Sequence, residues 1–275
     1  MIELGKRQAL TCYKMVEFGA YLGSDINERV LLPKKEVPEE FEEGDSIDVF
    51  IYRDSEDRLI ATTKDPLIKI GEIALLKVKN TTKIGAFLDW GLEKDLFMPF
   101  KEMNGTVEEG DNVAVYLYVD KSNRLAATMK IYPYLQKNDK FNKNDEVTGI
   151  IYDINKELGA FVAVECKYHG LIPAREIHKK IRTGEEVTLR VTEVRKDGKL
   201  NLSFGKMISD QMDEDCDKIV KIIENYGGKL PYTDKANVKI IERDFSMSKS
   251  AFKRAVGRLL KTGKIEIEED GIRLK

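Results

Sequence analysis

"LLPKKEV" at residues 31–37 returns as "FMPFKEM" at 97–103 and as "LIPAREI" at 171–177. The shared pattern is two apolar residues, Pro, any residue, Lys or Arg, Glu and one more apolar residue. Ahead of each copy lies a second echo: "FGAYL" (18–22), "IGAFL" (84–88) and "LGAFV" (158–162). Each Gly precedes its Pro by 14 residues, pairing Gly19 with Pro33, Gly85 with Pro99 and Gly159 with Pro173. From each Pro to the Gly of "EEGD", "EEGD" or "RTGE" the distance is 11, reaching Gly44, Gly110 and Gly184. The units close on "RLIATT", "RLAATM" and "KLNLSF". Landmarks that keep their spacing through three copies mark an internal repeat of one folded unit.

The texture within a unit is β. "VAVYLYV" (113–119) and "VTLRVTEV" (187–194) are rich in β-branched and apolar residues and are followed by turn residues. The third unit accommodates five strands, near 146–154, 159–164, 168–173, 186–194 and 199–204. Five short strands in 60–70 residues predict a small closed barrel, which leaves no open sheet edge. The Gly-Ala at the start of the second strand fits a sharply coiled corner, where a side chain would crowd the neighbouring backbone. In the heptamer, the two apolar residues end the third strand, and Pro fits a strand end that needs no ladder donor. The Glu is expected to cap free N–H groups of a short helical turn. The Lys or Arg is either a ligand contact or an ordinary solvated charge.

The period changes in the tail. Met212, Cys216, Ile219, Val220, Ile223 and Tyr226 fall on one helical face. "GGKLPY" breaks that helix. Asn237 is placed to cap a short helix through about Asp244, and Ser248 a longer one burying Phe252, Val256, Leu259 and Leu260. Gly263 ends it, and "KIEIE", "EDG" and "IRLK" form a hairpin. Three helices and a hairpin predict a winged helix. The chain therefore reads as mostly β with an α+β tail: barrels at 1–66, 67–135 and 146–206, a polar linker at 136–145, and a winged helix at 207–275.

Charged residues make up 34% and apolar residues 42% of the 275. No apolar run approaches the roughly 20 residues of a membrane helix, and the first residues lack a secretory signal's apolar stretch. A cytoplasmic protein without a membrane partner is expected. Cys12, Cys166 and Cys216 are widely separated and read as reduced structural thiols. Net charge is −2, but unevenly spread. Residues 1–66 carry 9 basic and 15 acidic side chains, 67–135 carry 9 and 9, 136–206 carry 14 and 11, and 207–275 carry 14 and 13. A polyanion should prefer the C-terminal half. With two histidines and no nucleophile, phosphate-loop or metal-spaced motif, the sequence points to no enzyme, cofactor or metal. The tryptophan, Trp90, is expected to pack under the following loop. In the long tail helix, Lys249, Lys253, Arg254, Arg258 and Lys261 fall away from the apolar stripe and form a basic face. That face would meet nucleic acid, DNA included, or dock against the third barrel.

The "GAF(V/L)" opening, the apolar pair twelve residues on, and the closing D-x-x-x-R-[IL] resemble the S1 domain, an OB-fold RNA-binding barrel. Three such units followed by a winged helix resemble the bacterial conserved virulence factor B family over nearly the whole chain. The resemblance implies three S1-like OB-fold barrels that bind single-stranded RNA without catalysis, in post-transcriptional or expression regulation. It places aromatic contacts at Phe18 and Tyr21, then Phe87, then Phe161. The Asp/Arg pair of the last turn matches Asp54 and Arg58, then Asp120 and Arg124, and becomes Arg195 and Lys199 in the third unit. The family's strand-ending His is replaced by Pro33, Pro99 and Pro173, so nearby Lys35, Lys101 and Arg175 are the substitute donors. The alternative is a scaffold for the ribosome, polymerase or a nuclease.

Overall fold

The computed structural model describes residues 2–204, 208–233 and 235–275. The expected boundary at 206/207 lies outside them. The chain forms two compact units, Met1–Phe204 and Gly205–Lys275, each described by itself.

The first unit holds three closed five-stranded barrels. The first comprises β1 (Arg7–Val16), β2 (Gly19–Gly23), β3 (Arg29–Pro33), β4 (Ser46–Arg53) and β5 (Leu59–Thr62). The second comprises β6 (Ile73–Thr82), β7 (Gly85–Asp89), β8 (Leu96–Pro99), β9 (Asn112–Val119) and β10 (Leu125–Thr128). The third comprises β11 (Glu146–Asn155), β12 (Gly159–Val164), β13 (Tyr168–Pro173), β14 (Glu186–Val194) and β15 (Leu200–Ser203). In each, the third strand pairs parallel with the fifth, and the first and fourth strands close the cylinder.

The repeat spacing is strand register. Gly19, Gly85 and Gly159 sit directly opposite Pro33, Pro99 and Pro173 on the neighbouring antiparallel strand. A Cβ on these glycines would lie 2.1, 2.2 and 1.9 Å from the carbonyl oxygens of Leu32, Met98 and Ile172. The 11-residue step ends at a turn glycine that bonds to the bulge in the first strand. Gly44, Gly110 and Gly184 donate their N–H groups to the carbonyls of Cys12, Val78 and Ile151. Register shifts follow each of those three residues, bending the strand around the barrel.

The role of the heptamer Glu needs correcting. A 3-10 turn does follow each Pro, but Glu36, Glu102 and Glu176 are its last residues and do not cap its start. A three-residue turn leaves the Glu side chain aimed instead at the buried end of the fifth strand. Glu36 Oε2 accepts from the Thr62 hydroxyl at 2.6 Å and the Thr63 amide at 2.7 Å. Glu102 Oε2 accepts from Thr128 at 2.9 Å, and Glu176 Oε2 from Ser203 at 2.8 Å. Each barrel is stapled in the same place.

Apolar surface is buried between barrels as well as within them. Trp90 is 3% exposed, edge-on to Phe50 and Tyr52 of β4, and its Nε1 donates to the Lys94 carbonyl at 2.6 Å. Full burial of such a side chain stabilises by about 1.5–3 kcal/mol. After β10, Ile131 and Leu135 are buried with Ile150, Tyr152 and Ala163 of the third barrel. The turn between them, Tyr132–Tyr134, is thereby fixed at the third barrel's edge. Residues 136–145 lie against the same barrel: the Gln136 amide donates to the Lys167 carbonyl at 2.7 Å, and the Tyr168 hydroxyl to Asp139 at 2.6 Å.

The second unit comprises α1 (Ile208–Asn225), β16 (Lys229–Leu230), α2 (Val238–Phe245), α3 (Lys249–Lys261), β17 (Ile265–Glu268) and β18 (Gly271–Leu274). Asn237 and Ser248 cap α2 and α3 through their side chains. Cys216, Ile219, Ile223, Phe245, Phe252 and Leu259 share its core. Two expected core residues are outside it. Tyr226 follows the end of α1 and is 48% exposed; Leu260 is 45% exposed, one step off the buried stripe. The sheet also gains β16, paired with β18, from the segment expected only to break the helix. Among the described residues no helix is long and apolar enough to cross a membrane.

Candidate nucleic-acid interface

The outward position on the second strand of each barrel is aromatic: Tyr21, Phe87 and Phe161. In each case the flanking residues, such as Ala160 and Val162, point into the core. The three rings are half-buried on the barrel surface rather than in its interior. Across from them stand Leu31, Phe97 and Leu171, and beyond those Ile60, Ala126 and Asn201. The residue before each Gly, namely Phe18, Ile84 or Leu158, is 56–68% exposed beside the ring. Each barrel thus has an apolar, ring-bearing surface patch, and what differs is the charge around it.

In the first barrel Phe18 meets Tyr21 edge-on at 6.1 Å, and Arg29 lies 4.2 Å over the Tyr21 ring. Arg58 is neutralised by its own hairpin: Nε and Nη2 donate to Asp54 Oδ2 at 3.0 and 2.8 Å, and Nη1 lies 2.8 Å from Glu56. Asp54 is mainly architectural, since its Oδ1 accepts the amides of Glu56 and Arg58. Burial raises its pKa, but the hydrogen bonds from Arg58 outweigh this and leave it lowered. Lys35 pairs with Glu93 of the second repeat.

In the second barrel Asp120 repeats the architectural role, accepting the amides of Ser122 and Arg124. Arg124 does not turn to it. Its guanidinium crosses to the first barrel and binds Asp57 Oδ2 at 2.7 and 2.9 Å. Lys101 is exposed and makes no ion pair among the described residues.

The third barrel brings three of its four expected residues together, and Arg175 lies outside the group. Phe161, Arg195 and Lys199 line one pocket of about 180 Å³ with Leu158, Tyr132 and His169. The hairpin acid here is Asp197, only 3.3 Å from Arg195 and 3.7 Å from Lys199, so two cations share one carboxylate. Exposed pairs of this kind contribute about 0–1 kcal/mol. Lys199 Nζ donates to the Tyr132 hydroxyl at 2.9 Å, which raises its pKa and keeps it charged. Tyr132 lies 4.6 Å from His169. Burial, then the charge of Lys199, lowers the His169 pKa, so the ring is neutral at neutral pH. Arg175 is 86% exposed and only 3.9 Å from Glu176.

Tyr132 and His169 are site residues that sequence reasoning does not reach. The second barrel's connector carries Tyr132, outside any repeat landmark. His169 lies four residues before Pro173, the position where the family's His is missing.

In the second unit α3 buries Phe252, Ala255, Val256 and Leu259 and exposes Lys253, Arg254 and Lys261. With half-buried Lys249, these make no ion pair among the described residues. Arg258 leaves this face: it pairs with Asp213 of α1 and contacts the Met212 sulfur. Gly257 falls in the same i,i+4 row as Lys249, Lys253 and Lys261, and a Cβ there would meet no atom within 4 Å beyond its own helix. It leaves the helix surface open at that point. A helix-interior Gly in a row of lysines is the signal in the sequence that points to it. Among the described residues no cluster of His, Cys, Asp and Glu is arranged to hold a metal.

Residues 217–274 match the family described as the CvfB-like winged helix domain. Residues 4–64 and 70–130 match the S1 domain, and 140–205 the S1 RNA binding domain. Conserved virulence factor B of Staphylococcus epidermidis is 31% identical, over 90% of this chain and 87% of its own. Uncharacterized protein YitL of Bacillus subtilis is 32% identical, over 97% of this chain and 92% of its own. A Streptococcus pneumoniae crystal structure, described as a multidomain protein with nucleic acid binding domains, aligns with a TM-score of 0.54 at 24% identity. It covers 99% of this chain and 98% of its own, and supports the fold alone.

Proposed function

The chain belongs to the conserved virulence factor B family, and on that premise we propose that it is a non-catalytic, cytoplasmic protein that binds single-stranded RNA and acts in expression regulation. The strand lies on the third barrel. One base stacks on Phe161 beside Tyr132, and the backbone passes Lys199 and Arg195. Lys253, Arg254 and Lys261 on α3 offer phosphates a second, separate contact. The observation that carries this reading is the pocket where Phe161, Tyr132 and His169 converge with two incompletely neutralised cations. Base–aromatic stacking there is worth about 1–3 kcal/mol per base.

The test is fluorescence polarisation of labelled single-stranded RNA with the full chain across a salt series. Micromolar or tighter binding that weakens with salt, and again in Phe161→Ala and Arg254→Glu, supports the reading. Absence of binding at any salt, with the fold intact, returns the barrels to a scaffold for the ribosome or other expression machinery. Duplex DNA contact through α3 is a second reading, favoured by its unpaired cations and Gly257. It predicts duplex binding that survives Phe161→Ala and is lost in Lys253→Glu.

A further inference from the structure

Phe100 is 69% exposed, more than any other large apolar side chain among the described residues. It fills the free position of the repeated heptamer, where the other two copies have Lys34 and Ala174. Its amide donates to the Ile84 carbonyl at 2.9 Å, which joins the two residues at the corner where β8 ends and β7 begins. Ile84 is itself 68% exposed. A single exposed apolar side chain is ordinary, but two side by side that join no core cluster are a patch.

The second barrel's unpaired positive charge gathers at the same corner. Lys83 precedes Ile84, Lys101 follows Phe100, and Lys130 Nζ donates to the Lys101 carbonyl. All three lysines are exposed and make no ion pair among the described residues. The neighbouring acid, Glu102, turns its carboxylate to Thr128. Elsewhere on this barrel Arg124 is held by Asp57, and Lys94 by the Asp54 carbonyl. An apolar ring among free ammonium groups suits a ligand with flat uncharged faces on a negative backbone. Lys130 also stands two residues before Tyr132 of the third-barrel pocket, at most about 7 Å along the chain. That continuity selects RNA over an acidic peptide.

We propose that a single RNA strand seated on the third barrel continues across the connector to this corner. There one base stacks on Phe100 beside Ile84, and the phosphates meet Lys130, Lys101 and Lys83. The proposal rests on reading the third barrel as the RNA site. It adds a contact at a strand-end turn of the second barrel, away from the ring on β7, and makes affinity depend on strand length.

The test is polarisation of two labelled RNA strands with the full chain, one of about 4 nucleotides for the third barrel alone and one of about 14 to reach both places. The longer strand should bind about fivefold or more tightly, and Phe100→Ala should abolish that advantage while leaving the shorter strand within about twofold. Exchanging Lys101 and Lys130 for Gln should lower the salt slope of the longer strand by about 0.7 per lysine. In Phe100→Trp, emission should be quenched by the longer strand alone, since Trp90 is 3% exposed and remains a constant background. A length advantage that persists in Phe100→Ala overturns the proposal, as does an equal loss for both strands. RNA binding indifferent to Phe100→Ala, with capture of an oligoglutamate peptide lost in that variant, overturns it in favour of an acidic protein. Equal affinity for the two strands removes this proposal alone, whereas failure of both to bind removes the third-barrel reading with it.

Discussion

The Tyr132 hydroxyl accepts a hydrogen bond from Lys199 Nζ at 2.9 Å, although Tyr132 follows the second barrel and Lys199 ends a hairpin of the third. The third-barrel site is thus built from two repeats, and its geometry depends on the connector buried between them. Tyr132→Ala removes a ring and one anchor of Lys199. RNA affinity should fall about 5- to 150-fold, the range set by about 1–3 kcal/mol. Tyr132→Phe keeps the ring, frees Lys199, and should cost less than about threefold. Equal losses in the two variants, measured by polarisation, would show that the hydroxyl and not the ring matters.

His169 gives the site a pH dependence. Burial and Lys199 lower its pKa below the ordinary value of about 6.5; Asp197 opposes them, and Tyr132 is in ring contact. The sign for folding is unfavourable on acidification: the neutral ring contributes stability above the unfolded pKa, lost as pH falls through the lowered one. The sign for RNA is opposite, because a protonated ring beside phosphate gains a partner. As pH falls through that lowered value, affinity should rise. His169→Gln should flatten the profile; a parallel profile would exclude His169 as the source.

The Glu staple predicts coupled stability losses. Thr128 is 2% exposed, and its hydroxyl supplies the hydrogen bond to Glu102. Thr128→Val leaves a carboxylate oxygen without that donor and should cost about 1.5–3 kcal/mol. Glu102→Ala should cost a similar amount, and the double variant little more than either alone. Additive losses in a double-mutant cycle by chemical denaturation would contradict a direct interaction.

Glycine substitutions separate register from mere conformation. Gly159→Ala places Cβ 1.9 Å from the Ile172 carbonyl at a φ of +123°, and should destabilise the third barrel by about 3 kcal/mol or more. Gly227→Ala meets nothing within 4 Å at a φ of +73°, and should cost only about 1 kcal/mol. Melting curves that rank the two equally would refute the packing argument.

These contrasts explain what is legible in the sequence. The 14-residue step from Gly to Pro is a cross-strand pair, and the 11-residue step ends at the bulge, so barrel geometry imposes both spacings directly. The caps at Asn237 and Ser248 are legible for the same local reason; Trp90 is buried as expected, but its ring packs on Phe50 and Tyr52 of the first barrel, which no local spacing shows. Charge partners are not legible. The repeat pattern offers Arg58 and Arg124 as contacts and the tail helix's face offers Arg258, yet Arg58 folds back on Asp54, Arg124 crosses to Asp57, and Arg258 turns to Asp213. Such pairs depend on where side chains end in space, which the spacing does not encode. Tyr132 stays hidden because it lies between repeats, and the staples of Glu36, Glu102 and Glu176 because their partners are 26 or 27 residues away.

Polarisation with labelled single-stranded RNA, comparing the full chain with Phe161→Ala at low and moderate salt, tests the central claim most directly. The account predicts binding that weakens with salt and falls at least fivefold at both salts when the ring is removed. Binding indifferent to the loss of Phe161 would contradict it.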